Sequence, residues 1–455
     1  MQTILVALEM LKITIMESSL AVLEQPPQII KKKLAFNSSV KFLGGNKFVR
    51  ITSPVTTIVL KEFQAAKLFV EKRAPEISAG CGKVANNIAG KNMINQPAST
   101  NVTFQFEKLS LSCLRPKEKN EDTDSEEMEE SDETASESGP QEKSDKEPKV
   151  MEEKYCLVYI TEIQIDNVTY TVWCVSIPFV YQVHTNQTVE GLGTIFWDKY
   201  FREPGRIPFV VPDKVSWSKM RPALNDHFKM MTKSQRDFSE INLRNLGTHI
   251  FQSTDFTDSS EISFSQFFEK DEVSKHGKWG WFQACVDLTN KHLTPYWQNG
   301  HIVGFVDRGE AEHLLRAHKP GDFIVRFSNS VEGGVSVTVF KPRGNDPGTS
   351  RGSPELEVEN SMPFTTGDLD HLGKLKATIN ISDLIRTYHF YVNSYSQNKD
   401  GGIVMVPKDH AFASPAIACK KGVVNMTSRI KAKYVGMKLI LQALSEACLS
   451  GKTGK

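Results

Sequence analysis

The stretch GDFIVRFSNS, residues 321–330, decides the fold, because it places an arginine in the middle of an apolar strand. Side chains alternate along a strand, so Arg326, Ser328 and Ser330 lie on one face and the phenylalanines lie on the other. An unpaired charge inside such a strand is costly. A guanidinium beside two hydroxyls therefore predicts an anion site, and the planar, bidentate geometry of arginine favours phosphate.

A hairpin is predicted to extend this polar face. The residues EGG, 332–334, have turn chemistry, and VSVTVF, 335–340, alternates again. The returning strand would bring Ser336 and Thr338 beside Arg326. A second interpretation stays open from these residues alone, in which the arginine lies on an edge strand and extends its guanidinium into water.

Residues 297–330, WQNGHIVGFVDRGEAEHLLRAHKPGDFIVRFSNS, resemble the SH2 domain of the STAT family, the signal transducers and activators of transcription. Family members carry variants of W-N-D-G-x-I-x-G-F, then a helix, then P-G-T-F-L-L-R-F-S-[ED]-S. The resemblance implies a phosphotyrosine pocket. Its residues would be the central ligand Arg326, the hydroxyl donors Ser328 and Ser330, Arg308 in place of a family lysine, and Asn329 in place of an acidic residue.

The charge of the chain is unevenly distributed. The formal net charge is +1, but residues 117–154 contain 16 acidic residues against 6 lysines, so this segment carries −10 and the remainder carries +11. The segment has almost no apolar residues, and we expect it to be a disordered loop. A moderately basic remainder is compatible with a nucleic-acid partner.

The composition indicates a reducing compartment. The seven cysteines are widely spaced and form no C-x-x-C pair, which favours free thiols. The apolar run at residues 4–8 has no basic residues before it and is interrupted by Glu9, so we expect no signal peptide. No apolar run is long enough to span a bilayer, so no membrane insertion is expected. We also predict no metal site and no cofactor.

The apolar residues Ile4, Leu8, Leu11, Ile15 and Val22 predict one amphipathic helix that ends before the prolines at 26 and 27. Residues 7–45 resemble the end of the long coiled-coil bundle of STAT proteins and its entry into their DNA-binding domain. The resemblance implies that the N-terminal domain and most of the bundle are absent from this sequence.

The fold class is therefore predicted as multidomain α+β. We expect the end of a coiled-coil helix at 1–26, an immunoglobulin-like β-sandwich or barrel at 27–212, a helical linker at 213–296, an SH2 domain with a central antiparallel sheet flanked by helices at 297–415, and a tail at 416–455. Within the sandwich, residues 196–217 resemble the branch of the family that answers prolactin and interleukin-4.

DNA contacts are expected on loops, because the strands of a sandwich do not enter a groove as a recognition helix does. The turn HTNQT, 184–188, carries imidazole and amide groups that can bond base edges, although a merely solvated turn remains the alternative. By this chemistry Asn186 and Gln187 are candidate base contacts. The resemblance adds His184 as a base contact, and Ser39 is a candidate where some members carry a contacting lysine. The candidate phosphate contacts are Lys31, Lys32, Lys33 and Lys41.

The tail contains Tyr434 within RIKAKYVGMK, a partial match to the G-Y-[VI]-K site at which STAT proteins are phosphorylated. The resemblance implies a transcription factor of JAK-STAT signalling, in which phosphorylation of Tyr434 drives a reciprocal SH2–phosphotyrosine homodimer. Such a dimer would enter the nucleus from the cytoplasm and bind a palindromic site in double-stranded DNA. A phosphotyrosine receptor or kinase would be a further partner.

Two alternatives were weighed. One is a truncated, non-activating SH2 adaptor or competitor, and the sequence leaves this open. The other is an enzyme that carries an SH2 module. The chain has no H-R-D or D-F-G kinase motifs, no H-E-x-x-H and no G-x-S-x-G, so we predict that it is not an enzyme.

Overall fold

The structure is a computed structural model of the 455-residue chain. It describes residues 18–43, 49–71, 73–94, 102–112, 114, 153–165, 167–203, 210–342, 356–374, 381–387, 391–397 and 402–413, with positions 4, 6–8, 11, 14 and 15. The chain divides into two compact units, Met1–Val211 and Pro212–Lys455. No helix in the described part is long and apolar enough to cross a membrane.

The N-terminal unit is built mainly from short β-strands. Its strands are β1 (Leu20–Glu24), β2 (Ile29–Lys31), β3 (Phe36–Phe42), β4 (Val49–Ile51), β5 (Val55–Lys61), β6 (Lys83–Ala85), β7 (Ile88–Ala89), β8 (Thr103–Ser112), β9 (Tyr155–Ile165), β10 (Val168–Val175) and β11 (Val180–Gln182), and its helices are α1 (Glu62–Glu71) and α2 (Thr188–Phe201). One sheet has the order β1-β3-β8-β6, and another has the order β10-β9-β5-β7 with β4 beside β9. β2 and β11 form a separate parallel pair.

The two larger sheets face each other across one hydrophobic core. Val40 and Phe106 come from the first sheet, and Val59 and Tyr159 come from the second. The rings of Phe106 and Tyr159 are 5.3 Å apart, and the Tyr159 hydroxyl lies 2.6 Å from the Ser38 hydroxyl. Because β-branched and aromatic residues alternate on these strands, each sheet buries one face against the other. The predicted β-sandwich is present.

The prediction of a helix over residues 1–26 is wrong for Leu20–Glu24. This segment is strand β1, and it pairs antiparallel with β3. The described positions between 4 and 15 are helical, and their apolar side chains at Ile4, Leu8 and Leu11 are exposed. Val22 fits the helical spacing only by chance, since its backbone is better satisfied by the strand pairing.

A buried ion cluster anchors the start of β9. Lys154, 6% exposed, donates from Nζ to Asp198 of α2 at 3.1 Å and lies 3.3 Å from Glu62 of α1. Leu114, just after β8, is 3% exposed. Both flanks of residues 115–152 are therefore fixed to the sandwich. Those residues, which include most of the predicted acidic loop, lie outside the described residues.

The second unit begins with a helical region and continues into a mixed sheet. The helical region contains β12 (Lys214–Ser216), α3 (Trp217–Thr232), α4 (Glu240–Phe251), β13 (Glu261–Ser263), α5 (Phe264–Phe268), α6 (Gly277–Leu288) and α7 (Thr294–Gln298). The rest contains α8 (Arg308–Arg316), β14 (Asp322–Phe327), β15 (Gly334–Pro342), β16 (Leu356–Asn360), β17 (Phe364–Thr365), α9 (Thr366–Lys374), α10 (Ile381–Thr387), β18 (Asn393–Gln397), β19 (Ile403–Pro407) and α11 (Lys408–Ala411). The sheet order is β16-β15-β14-β18-β19, with β17 beside β15.

An aromatic cluster joins the helical region to the central strand β14. Phe228 of α3 lies 4.9 Å from Trp297 and 6.2 Å from Phe327 of β14, and Phe305 lies 4.8 Å from Phe327. All four side chains are at most 1% exposed. Since Phe327 follows Arg326 in the strand, this packing fixes the backbone that carries the predicted phosphate ligand.

Candidate functional site

Arg326 lies near the end of a buried strand. The predicted hairpin is present, because β14 pairs antiparallel with β15 and places Arg326 opposite Ser336. Phe327 and Arg326 point to opposite faces, as strand alternation requires. On the arginine's face, Ile324 packs against Ala311 and Leu315 of α8. The guanidinium therefore lies between α8 and β15, and Arg326 is 5% exposed.

The guanidinium of Arg326 donates only to neutral oxygens among the described residues. Nε donates to Thr338 Oγ1 at 3.2 Å, Nη1 to the Phe327 carbonyl at 3.3 Å, and Nη2 to Asn360 Oδ1 at 3.4 Å. Burial lowers the pKa of Arg326, and the carboxylates of Asp307 and Glu312 oppose that shift. A buried cation that makes only long bonds to neutral groups is strongly stabilised when an anion binds beside it.

The loop after β14 supplies hydroxyl and amide groups. Ser328 is 2% exposed, and its Oγ accepts from the amides of Ser330 at 3.3 Å and Val331 at 3.2 Å. The Ser328 Oγ also lies 3.4 Å from the Ser330 Oγ, so the Ser328 hydroxyl proton can be donated to Ser330 or to an entering anion. Ser330 is exposed. Asn329 is half-buried and lines a cleft of about 790 Å³ beside this loop.

Arg308 is the first residue of α8 and has a 71% exposed side chain. Its Nε donates to Glu312 Oε1 at 2.8 Å. Asn360, at the end of β16, donates to the same oxygen at 2.7 Å. The structure thus brings Arg308 to the same side of β14 as Arg326, with Glu312 and Asn360 between them.

Sequence reasoning missed a contact between the helical region and the serine loop. The indole Nε1 of Trp281, in α6, donates to the Ser328 carbonyl at 2.9 Å, and Trp281 is 1% exposed. The His249 ring stacks on this indole with centroids 3.7 Å apart, and burial lowers the pKa of His249 to about 4. A neutral imidazole therefore covers the indole at neutral pH.

Replacing Trp281 by phenylalanine is expected to weaken the serine loop. The ring would still pack on His249, but the buried Ser328 carbonyl would lose its donor, which costs about 1–3 kcal/mol of stability. Urea unfolding of Trp281→Phe measures this cost. Phe282→Leu, in the same helix, removes aromatic packing without removing that donor and serves as the control for binding. Phosphotyrosine-peptide affinity should fall in Trp281→Phe and stay close to wild type in the control.

A second cluster of predicted residues lies in the N-terminal unit. The parallel pairing of β2 and β11 places Lys31 opposite Gln182, and the Lys32 amide donates to the Gln182 carbonyl at 2.9 Å. The exposed lysines 31–33 therefore lie beside the segment that begins at His184. Parallel strands bring both segments to the same end of the domain.

The predicted turn at 184–188 follows strand β11 and leads directly into a helix. Residues 185–187 form a 3₁₀ turn that leads into α2, and His184 caps its start. The side-chain oxygen of Gln187 accepts from the amides of Val183 at 3.1 Å and His184 at 3.0 Å. This oxygen is therefore occupied by two backbone hydrogen bonds within the turn. Exposed His184 keeps its side chain at the surface, and Asn186 is exposed beside it.

Two of the predicted DNA contacts, Ser39 and Lys41, do not lie with the lysines 31–33 and His184. Ser39 is 1% exposed, so its hydroxyl cannot reach a DNA backbone in this structure, and we withdraw it as a contact. Lys41 is half-buried and lies five residues beyond Phe36 in β3, a strand length of about 16 Å. It lies at the opposite end of β3 from Lys33, whose amide donates to the Leu111 carbonyl at 3.0 Å.

Tyr434 lies outside the described residues. Of the other tyrosines near the sheet, Tyr391 is 3% exposed and Tyr395 is 6% exposed. Both are packed against aromatic rings, of Phe323 and His318 respectively. Both tyrosines therefore contribute to the packing of this domain. No cluster of His, Cys, Asp and Glu that could hold a metal ion occurs in the described part of the chain.

Three regions match known domain families. Residues 24–181 match the STAT protein DNA-binding domain, residues 204–282 match the signal transducer and activator of transcription linker domain, and residues 301–388 match the SH2 domain. The β-sandwich, helical region and mixed sheet described above correspond to these regions in order. Such a fold, with a buried arginine on the central strand of the last domain, defines a multidomain SH2 protein.

The chain belongs to the STAT family. It is similar to signal transducer and activator of transcription 6 of Homo sapiens, with 28% identity over 416 residues that cover 88% of this chain and 43% of that protein. The chain thus spans less than half the length of this relative. A solved structure, the inactive choanoflagellate E3 ubiquitin ligase Cbl TKB, matches at 14% identity and a TM-score of 0.18, with 53% of this chain and 55% of that chain covered. A TM-score this low carries no argument.

Proposed function

We propose that the chain is a signal-dependent transcription factor of the STAT type. Its SH2 domain binds phosphotyrosine, and its β-sandwich binds double-stranded DNA. The observation that carries the proposal is the buried guanidinium of Arg326, which donates only to neutral oxygens in the described structure and comes two residues before the buried Ser328. A phosphate would accept hydrogen bonds from the Arg326 guanidinium and from the Ser328 hydroxyl.

Phosphorylated Tyr434 is the proposed ligand of this pocket in a second copy of the chain. From Phe412 to Tyr434 is 22 residues, an extended reach of at most about 75 Å, so length permits exchange between two molecules. In a twofold dimer, formation of the first contact holds the two chains together, so the second contact forms as an intramolecular event. The affinity of the dimer is therefore higher than that of either contact alone. We further propose that the protein resides in the cytoplasm and moves to the nucleus on phosphorylation, and that it is not an enzyme.

A gel-shift assay tests the proposal against the adaptor alternative. Wild-type protein, with and without tyrosine phosphorylation, is mixed with duplexes that carry palindromic sites selected from a random pool. A transcription factor of this type shifts DNA only after phosphorylation. A non-DNA-binding adaptor or competitor shifts no duplex in either state, and that result would overturn the DNA-binding part of the proposal.

The lysines at 31–33 are expected to contact DNA phosphates, because they are exposed and lie beside His184 at one end of the domain. Replacing all three by alanine should reduce affinity by at least about tenfold, and the salt slope should fall by about 1 for each lysine that contacts a phosphate. Fluorescence anisotropy with a labelled duplex at several salt concentrations measures both quantities. Binding of a phosphotyrosine peptide by the same variant should be unchanged, and an unaltered salt slope would exclude this surface.

A further inference from the structure

Glu312 lies within the pocket that holds the two arginines. It is one helical turn after Arg308 in α8, and its side chain is 22% exposed. One carboxylate oxygen, Oε1, accepts from Arg308 Nε at 2.8 Å and from Asn360 Nδ2 at 2.7 Å. These two bonds lower the pKa of Glu312, with the Arg308 bond as the larger cause, so the side chain is an anion at neutral pH.

The same carboxylate connects to the buried guanidinium through one residue. Asn360 Oδ1 accepts from Arg326 Nη2 at 3.4 Å and from Thr338 Oγ1 at 2.7 Å, while its amide nitrogen faces Glu312. The amide therefore donates to an anion on one side and accepts from a cation on the other. A continuous network, Arg308–Glu312–Asn360–Arg326, therefore links the two arginines.

The positive charge of the pocket is largely offset from within. The charges that act on Arg326 are those of Arg308, Asp307 and Glu312, so two carboxylates oppose two guanidinium groups. Asp307 is committed to the fold, because its side chain caps α8 by accepting from the Glu310 amide at 2.8 Å. Glu312 has no comparable backbone bond in the described structure, and the geometry of α8 does not require its charge.

We propose that Glu312 is an internal anionic competitor that weakens binding of the phosphotyrosine dianion and withholds Arg308 from it. This inference rests on the proposed function. An entering phosphate carries about −1.5 to −2 charges near neutral pH, and it must be held beside the Glu312 carboxylate or displace it from Arg308. Either route costs more for the dianion than for the monoanion. A single pocket thus binds weakly, and two pockets acting together are needed for a stable complex.

Glu312→Gln separates charge from geometry. The amide oxygen of glutamine can still accept from Arg308 and Asn360, while the negative charge is gone. The control is Glu357→Gln, which removes the same charge from β16, where Glu357 lies 3.5 Å from Lys341. Lys341 keeps Glu359 as a partner in that control. Both variants change the net charge of the chain equally.

The experiment uses the full chain and a fluorescent peptide of residues 426–442 phosphorylated at Tyr434, with phenyl phosphate as competitor. We expect Glu312→Gln to bind the peptide roughly threefold to tenfold more tightly than wild type at low ionic strength, and Glu357→Gln to bind as wild type does. The increase in peptide affinity of Glu312→Gln over wild type should be larger at pH 7.5 than at pH 5.5, because the phosphate loses its second proton near pH 6. A merely structural role of Glu312 would give no such pH dependence.

Two results would overturn the inference. If wild type binds the peptide and Glu312→Gln binds equally or more weakly, Glu312 is a positioning residue and the competitor role is wrong, while the proposed pocket stands. If wild type binds neither the peptide nor phenyl phosphate at any pH, the phosphotyrosine pocket itself is wrong, and the role of Glu312 fails with it.

Discussion

Replacing Arg326 by alanine is expected to abolish phosphotyrosine binding and leave the fold intact. The guanidinium is the buried charge of the pocket, and removal of one member of a buried, hydrogen-bonded charge pair costs about 2–5 kcal/mol, or roughly thirtyfold to several thousandfold in affinity. The free protein gains no ion pair from this side chain in the described structure, so the fold loses only long bonds to three neutral oxygens. Peptide anisotropy measures the loss, and thermal unfolding checks the fold.

A second variant keeps this test decisive. Arg326→Lys preserves the charge and loses the planar fork, so it should bind between wild type and Arg326→Ala. Thr338→Val removes one acceptor of Arg326 and leaves the guanidinium in place. It is expected to keep most of the affinity. Unchanged binding in a folded Arg326→Ala variant would refute the pocket.

Tyr434→Phe is expected to leave kinase-treated protein monomeric. Phenylalanine cannot accept the phosphate, so neither copy can present a charged ligand to the Arg326 pocket of the other. Because both contacts of a reciprocal dimer depend on the same residue, the whole association should be lost rather than half of it. Sedimentation of wild-type and variant protein, with and without kinase treatment, measures the change.

The matched control for this experiment is Tyr391→Phe. Tyr391 is 3% exposed and stacks on Phe323 with ring centroids 4.8 Å apart, so a kinase cannot reach it in the folded protein. Phenylalanine keeps the stacking, and phosphorylation-dependent dimers should form as in wild type. Dimers that persist in Tyr434→Phe would show that another tyrosine is used.

The central hairpin could be predicted from sequence, because the strand alternation and the turn residues that indicate it are both local features. Strand alternation placed Arg326 and Ser328 on one face, and the glycines after Glu332 indicated the turn that brings Thr338 alongside. The other groups in the pocket come from distant segments. Asn360 is on β16, Glu312 is on α8, and no spacing rule relates either residue to Arg326.

Trp281 and Val22 show two further limits of prediction from the sequence. The indole of Trp281 donates to a backbone carbonyl, and such a contact leaves no pattern in the sequence, since any loop residue offers the same acceptor. Val22 falls at a helical spacing from Ile15, but the pairing of β1 with β3 decided its conformation. At Val22 the non-local hydrogen bonds of the sheet outweighed local periodicity.

The buried ion cluster at Lys154 holds the start of β9 to the sandwich, and the buried Leu114 holds the chain at the end of β8. Leu114 and Lys154 are held by the folded domain, and the entropy cost of closing a connection rises by only about 0.6 kcal/mol for each doubling of its length. Residues 115–152 thus mark a permissive position for engineering. A fluorescent reporter exchanged for this segment would travel with the protein.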